Sequence, residues 1–235
     1  MKGFRKIRNA FFGILYSALF LFGCTNKNKS VPSIDVIKVD TLDIKNDTFL
    51  ENYLEQSDGR DRTIWQKPYE IIQLLGPLED KVVADIGAGS GYFSFRFVHR
   101  AKKVIAIDIE RQLIDMMNAE KTYYKEDIQK RFEARLATPD NPKLLVDEVD
   151  IVFISNTYTY INNRVEYLKN LKKSFRKNGR IMIVDFKKKL TPIGPDQKNR
   201  LAQSDVEEEL IRAGYTIQLS NDTTLQYQYI IIAMP

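Results

Sequence analysis

The chain is poor in the side chains that most often carry chemistry unaided: its 235 residues include one cysteine, Cys24, one histidine, His99, and one tryptophan, Trp65. A single cysteine excludes an intrachain disulfide. His99 falls on an expected helix and is read as solvent-facing, so no histidine remains for acid–base work. Low-complexity tracts and internal repeats are also missing, which excludes disordered and solenoid architectures. An excess of one charge is missing too, despite a formal net charge of +5. Lys2, Arg5, Lys6 and Arg8 crowd the first eight residues; 36 basic side chains less those four leave 32, against 31 acidic. Net charge therefore gives no reason to expect a nucleic-acid surface. With 43% hydrophobic and 29% charged residues, what remains is one ordinary globular domain of about 200 residues.

The N-terminus reads as an export signal. Cationic Met1 to Asn9 leads into the apolar run Ala10 to Phe22, then Gly23-Cys24 and the polar stretch Thr25 to Ser30. Such a run is shorter than the roughly 20 residues a helix needs to span a bilayer, so a processed signal is expected. Leu21-Phe22-Gly23-Cys24 resembles the bacterial lipoprotein box, with Phe22 bulkier than is usual there. The resemblance implies a lipid on Cys24, no free thiol in the mature chain, and attachment to a membrane of the bacterial cell envelope. The expected division is a signal peptide over 1–23, a lipid-anchored tether and lid start over 24–58, and a domain over 59–235.

Along the domain, Thr48 to Gln56 has helical spacing, 57–62 reads as a loop, and Pro68 to Leu75 reads as a helix opened by proline. Short apolar runs then alternate with helical stretches. Strands are expected at 82–86, 103–107, 131–136, 150–155 and 180–186, with helices at 90–100, 110–120 and 164–177, the last stopped by Asn178-Gly179. This alternation implies a parallel sheet with right-handed crossovers. A helix over 203–213 and two strands, 215–219 and 225–233, close the sheet.

Between the first strand and its helix stands Asp85-Ile86-Gly87-Ala88-Gly89-Ser90-Gly91. Glycines at this point let a tight backbone approach a ligand, and the N–H groups of the following helix face it. A dinucleotide fingerprint would place its third glycine at position 92, which is Tyr92, so a nicotinamide-dependent oxidoreductase is disfavoured. Asp108 ends the second strand, where a carboxylate can accept ribose hydroxyls.

On these residues the chain resembles the class I S-adenosylmethionine-dependent methyltransferases from about Arg60 onward. Asp85 to Gly91 matches the first motif of that family and Asp108 its second. Asp61 to Pro68, Gly91-Tyr92-Phe93 and Gly194-Pro195 resemble a bacterial branch acting on small molecules. The resemblance implies a Rossmann-like α/β sheet of seven strands, mostly parallel with an antiparallel last strand and helices on both faces. It also implies S-adenosylmethionine as cofactor, bound by Asp85, Gly87, Gly89, Gly91 and Asp108, with Thr138 and Asp140 beside the adenine. Trp65 and Gln66 would lid the site. No metal and no nucleic acid are expected, and the partner is a small-molecule or lipid-like acceptor.

The loop after the fourth strand departs from that branch, which carries an acid and histidines there. Here it reads Ser155-Asn156-Thr157-Tyr158-Thr159-Tyr160, which makes Asn156 and Tyr158 the expected catalytic residues, with Tyr160 and Asp185 as further polar candidates. Methyl transfer needs a general base only if the acceptor loses its proton as it attacks. The altered loop also keeps open a non-catalytic envelope protein that retains the fold as a binding module.

Overall fold

The computed structural model describes residues 59–235. The signal, Cys24, the tether and the helix expected over 48–56 lie outside the described residues. Among those described, no helix is long and apolar enough to cross a membrane.

Two helices, α1 (Gly59–Gln66) and α2 (Pro68–Leu74), precede the sheet. There follow β1 (Val82–Ile86), α3 (Ser94–Phe97), β2 (Lys103–Asp108), α4 (Arg111–Lys121), α5 (Glu126–Arg131) and β3 (Phe132–Leu136). The second half runs β4 (Val149–Ser155), a 3-10 turn (Tyr158–Tyr160), α6 (Arg164–Leu171), β5 (Phe175–Phe186), α7 (Gln203–Arg212), β6 (Thr216–Asn221) and β7 (Gln228–Met234). The strands form one seven-stranded sheet in the order β3-β2-β1-β4-β5-β7-β6. β1 to β5 are parallel, and β7 runs antiparallel to both of its neighbours.

Every residue of β1 is buried, as suits a strand covered on both faces. Alternation then divides the core in two. Val82, Ala84 and Ile86 face Leu168 and Leu171 of α6 and Val206 and Leu210 of α7. Val83 faces the opposite layer, with Ile71 and Ile72 of α2, Phe95 and Phe97 of α3, and Ile114 and Met117 of α4. Val206 and Leu210 lie one turn apart on α7 and are fully buried; each such side chain contributes about 1.5–3 kcal/mol.

Three expectations are corrected. The loop read over 57–62 lies largely in helix α1. The helix read over 90–100 is confined to Ser94–Phe97, because the glycine turn continues through Gly91 before helical bonding begins. Asn178-Gly179 does not end a helix: it lies inside β5, where the pairing with β4 jumps from Val149↔Phe175 to Ile151↔Arg180. Asn178 adopts φ 63° there, a left-handed conformation that asparagine tolerates in a bulge as readily as after a helix.

Candidate active site

The site lies at the carboxyl edge of the parallel strands, where the βα turns gather. Leaving β1, the backbone passes through Gly87, Gly89 and Gly91 at φ of 73°, 61° and 87°, conformations that strain any L side chain. Gly87 has a second reason to be glycine, since a Cβ there would fall 2.2 Å from Thr157 Oγ1. The loop after β4 thus packs directly on the glycine turn. The N–H groups of Gly87 and Ala88 both donate to the Ile107 carbonyl, at 2.8 and 3.0 Å, which ties the turn to β2.

Asp108 completes that tie. Its Oδ2 accepts from Gly89 N at 2.8 Å, and its Oδ1 accepts from Ile109 N at 2.8 Å and Glu110 N at 3.1 Å. A carboxylate offers about four lone-pair sites, so one site on Oδ2 is left for a ribose hydroxyl. Taking both hydroxyls would require Gly89 N–H to be released. Asp85 is buried beneath the turn and accepts from Ser94 Oγ at 2.6 Å. Burial pushes its carboxyl up to about 7 against the opposing pull of Ser94 and Arg62.

Thr138 and Asp140 sit at the margin. Thr138 Oγ1 donates to Asp140 Oδ1 at 2.7 Å, and both are exposed on a tight turn bridged from Thr138 to Asn141. Ala137 N donates to the Asp108 carbonyl at 2.9 Å, which brings the turn to the edge of the ribose position.

At the tip of β4, Asn156 takes the left-handed conformation, φ 58°, and its N–H donates to the Val184 carbonyl at 2.9 Å. Its Oδ1 accepts from Gln228 Nε2. Tyr158 lies elsewhere than expected. Its ring is fully buried in the core layer of α6 and α7, and its hydroxyl donates to Glu209 Oε2 at 2.8 Å. Glu209 is in turn clasped by Arg164 through Nε and the terminal nitrogen, at 2.8 and 2.7 Å. Burial, and then Glu209, raise the Tyr158 hydroxyl far above the ordinary tyrosine range, the opposite of what a base requires. Tyr160 is exposed. Asp185, near the end of β5, is buried; its Oδ1 accepts from Phe186 N at 2.8 Å while its Oδ2 has no partner. Burial pushes it up to about 6.

Helix α1 crosses this edge. Arg62 stacks 4.0 Å from the Tyr92 ring centroid, Trp65 lies 5.5 Å from Phe186 by ring centroids, and Gln66 Nε2 donates to Ser155 Oγ at 3.1 Å. Trp65 and Gln66, read as a lid, thus touch the ends of β5 and β4, and it is Arg62 that reaches Tyr92 beside the glycine turn. Ser94, Phe186 and Gln228 were not singled out from the sequence. The signal available for Gln228 was a polar residue in the apolar alternation Gln228, Ile230, Ile232.

This cradle fits an adenosyl-type ligand: a turn of three left-handed glycines meets a carboxylate with an acceptor site to spare. The chain matches the sequence pattern of a methyltransferase domain over residues 78–226. It belongs to the S-adenosylmethionine-dependent methyltransferase family. Its cofactor is S-adenosylmethionine, and the seven-stranded mixed sheet is that family's fold. A SAM-dependent methyltransferase from Aquifex aeolicus is similar over 77% of this chain and 96% of its own, with a TM-score of 0.71 and 20% identity. The glycopeptide N-methyltransferase MtfA in complex with (S)-adenosyl-L-methionine is similar over 72% of this chain and 93% of its own, with a TM-score of 0.60 and 15% identity. In sequence, the methyltransferase is 27% identical over 184 residues to a tRNA U34 carboxymethyltransferase of Actinobacillus succinogenes, a match covering 66% of this chain and 56% of that protein. The chain thus spans little more than half the length of that curated relative. Among the described residues, no cluster of His, Cys, Asp and Glu could hold a metal ion.

Proposed function

We propose that the chain is a methyltransferase of the cell envelope, anchored through Cys24, whose acceptor is a small or lipid-like molecule. The observation that carries the methyl-transfer part is the glycine turn, locked to Asp108 with one carboxylate site left over. In this reading Gly87, Gly89 and Gly91 pass under the methionine portion, and Asp108 holds the ribose. Asp85 braces the turn from below, and Thr138 and Asp140 border the adenine. When bound, S-adenosylmethionine supplies an electrophilic methyl group whose departure leaves a neutral thioether. The protein's share is to align an acceptor with that methyl and to exclude water. Alignment of this kind is worth about 7–11 kcal/mol.

Asn156 lies on the side of the site where an acceptor would enter, and Tyr158 supports the same loop from the core. With no histidine at hand, the acceptor best suited to the site ionises easily or needs no deprotonation: a thiol, or an activated carbon. The anchor reading is supported by Met1 to Cys24.

Calorimetric titration of the detergent-solubilised chain tests the cofactor, with S-adenosylmethionine expected to bind and NAD not. Formation of S-adenosylhomocysteine with a panel of thiols, phenols, amines and quinols tests the acceptor. A tRNA arm covers the chemistry named for the curated relative, and turnover there alone would replace the small-molecule reading. Metabolic labelling with a fatty acid is expected to mark the native chain and to leave Cys24→Ala unlabelled. Absence of label on the native chain defeats the lipoprotein reading.

A further inference from the structure

Two glutamines with no exposed surface hold consecutive residues at the tip of β4. Gln66 comes from the lid helix and donates through Nε2 to Ser155 Oγ at 3.1 Å, while its Oε1 accepts from Arg62 Nε at 2.5 Å. Gln228 comes from the first position of β7 and donates through Nε2 to Asn156 Oδ1. The two differ in one respect: Gln66 is satisfied at both ends of its amide, whereas Gln228 Oε1 is buried without any partner.

An unsatisfied buried oxygen costs about 1–3 kcal/mol, and a leucine would fill the same space without that penalty. Ile230 and Ile232 follow Gln228 on the same face of β7 and show what core packing alone selects there. Asn156 is constrained as well: its backbone is left-handed at φ 58° and its N–H is fixed on Val184 O. Next to it, Thr157 rests on Gly87. Of the Asn156 amide, Oδ1 accepts from Gln228, and Nδ2 donates to no other described residue.

We propose that Gln228 is a positioning residue that fixes the side-chain amide of Asn156 with its N–H₂ arm, rather than its oxygen, toward the point of methyl transfer. The proposal rests on reading this edge as the methyl-transfer site. It assigns that point a hydrogen-bond donor, a polarity suited to an acceptor atom bearing lone pairs and unsuited to a ligand that brings a donor of its own.

Sinefungin provides such a donor, because it carries an ammonium group where S-adenosylmethionine carries its methyl; S-adenosylhomocysteine carries neither. Affinities of both compounds for the full-length solubilised chain, measured by calorimetry, give a ratio that reports on this one position. In the native chain Asn156 offers the ammonium no acceptor. Gln228→Leu frees the amide to turn its Oδ1 inward, so the sinefungin-to-S-adenosylhomocysteine affinity ratio is expected to rise about tenfold, the scale of a hydrogen bond to a charged group. The rise is expected to vanish in the double variant Gln228→Leu with Asn156→Ala. A merely structural role would weaken both compounds by the same factor and leave the ratio unchanged.

If the leucine variant does not fold, Gln228→Met serves, since an unbranched side chain of similar length fills the same space and has no N–H to give Asn156 Oδ1. An unchanged ratio in the folded variant overturns the proposal, as does a rise that persists without Asn156. Failure of the native chain to bind S-adenosylhomocysteine would instead sink the cofactor reading beneath it, a result told apart by the missing heat in that single titration.

Discussion

The two halves of the site are built on different principles. At the tips of β1 and β2, backbone does the work: three left-handed glycines and the carboxylate that holds Gly89 N–H lie within one stretch of chain from Asp85 to Asp108. At the tips of β4 and β5, side chains do it, and they come from far apart: Gln66, Ser155, Asn156, Phe186 and Gln228. A backbone cradle tolerates little substitution because its conformation requires glycine. A side-chain assembly can exchange partners while the fold persists, so that half of the edge is the freer to vary.

The sharpest way to break this comparison is Gly89→Val. A β-branched residue at φ 61° is strained by about 1–3 kcal/mol and also adds atoms where the ligand meets the turn. S-adenosylmethionine affinity is expected to fall by about 100-fold or more. Calorimetric affinity within threefold of native would move the cradle elsewhere. Next comes Asp108→Ala, expected to cost about 1.5–3 kcal/mol of cofactor binding and to lower the melting temperature, because Gly89, Ile109 and Glu110 lose their common acceptor. Asp108→Asn keeps only one of the two accepting oxygens, enough for Gly89 N–H or for the Ile109 and Glu110 N–H groups but not for both, so its melting temperature is expected to fall between those of the native chain and Asp108→Ala.

Asp85 sharpens the comparison through pH. Its folded pKa, about 7, lies above its ordinary value of 3.8, so the folded state binds more protons than the unfolded state between those limits. Stability is then expected to fall as pH rises from about 4 to about 7, and to level off beyond. A cationic cofactor above the turn favours the carboxylate, so binding near pH 6 should release a proton, with affinity rising up to about tenfold per pH unit toward 7. Calorimetry in buffers of different ionisation enthalpy measures that proton, and its absence would place the cationic group away from Asp85. The smallest effect on cofactor binding belongs to Tyr158→Phe. Loss of the hydrogen bond to Glu209 should reduce stability by about 1.5–3 kcal/mol and leave cofactor affinity within about twofold. The fall in rate of about 10²–10⁴-fold that follows loss of a general base should not appear.

The sequence disclosed these halves unequally, for the same physical reason. Strand identity, sheet class and the glycine turn with its carboxylate were legible because they depend on local patterns: a buried run such as Val82 to Ile86, glycines at fixed spacing, an acid at a strand end. Boundaries were less so. The helix after the glycine turn is short because Gly91, Tyr92 and Phe93 continue the turn, and composition does not distinguish a turn of that kind from a first helical turn. Asn178-Gly179 could signal a helix stop or a bulge, since both use a left-handed asparagine. The role expected of Tyr158 depended on which layer its ring entered, and that was decided by Arg164 and Glu209 on α6 and α7. Gln228 belongs to the site only because of sheet order, which no local pattern encodes.

That sheet order also governs when the site can exist. β7 lies between β5 and β6, yet it follows both in sequence, so an interior strand comes after the two edges that must receive it. Until β7 is in place, those edges present unpaired N–H and C=O groups. Being antiparallel, β7 places its first residue, not its last, at the edge where the cofactor is expected. Insertion of β7 and completion of the Asn156 environment are therefore one event, and the Gln228–Asn156 contact cannot exist until the sheet has closed.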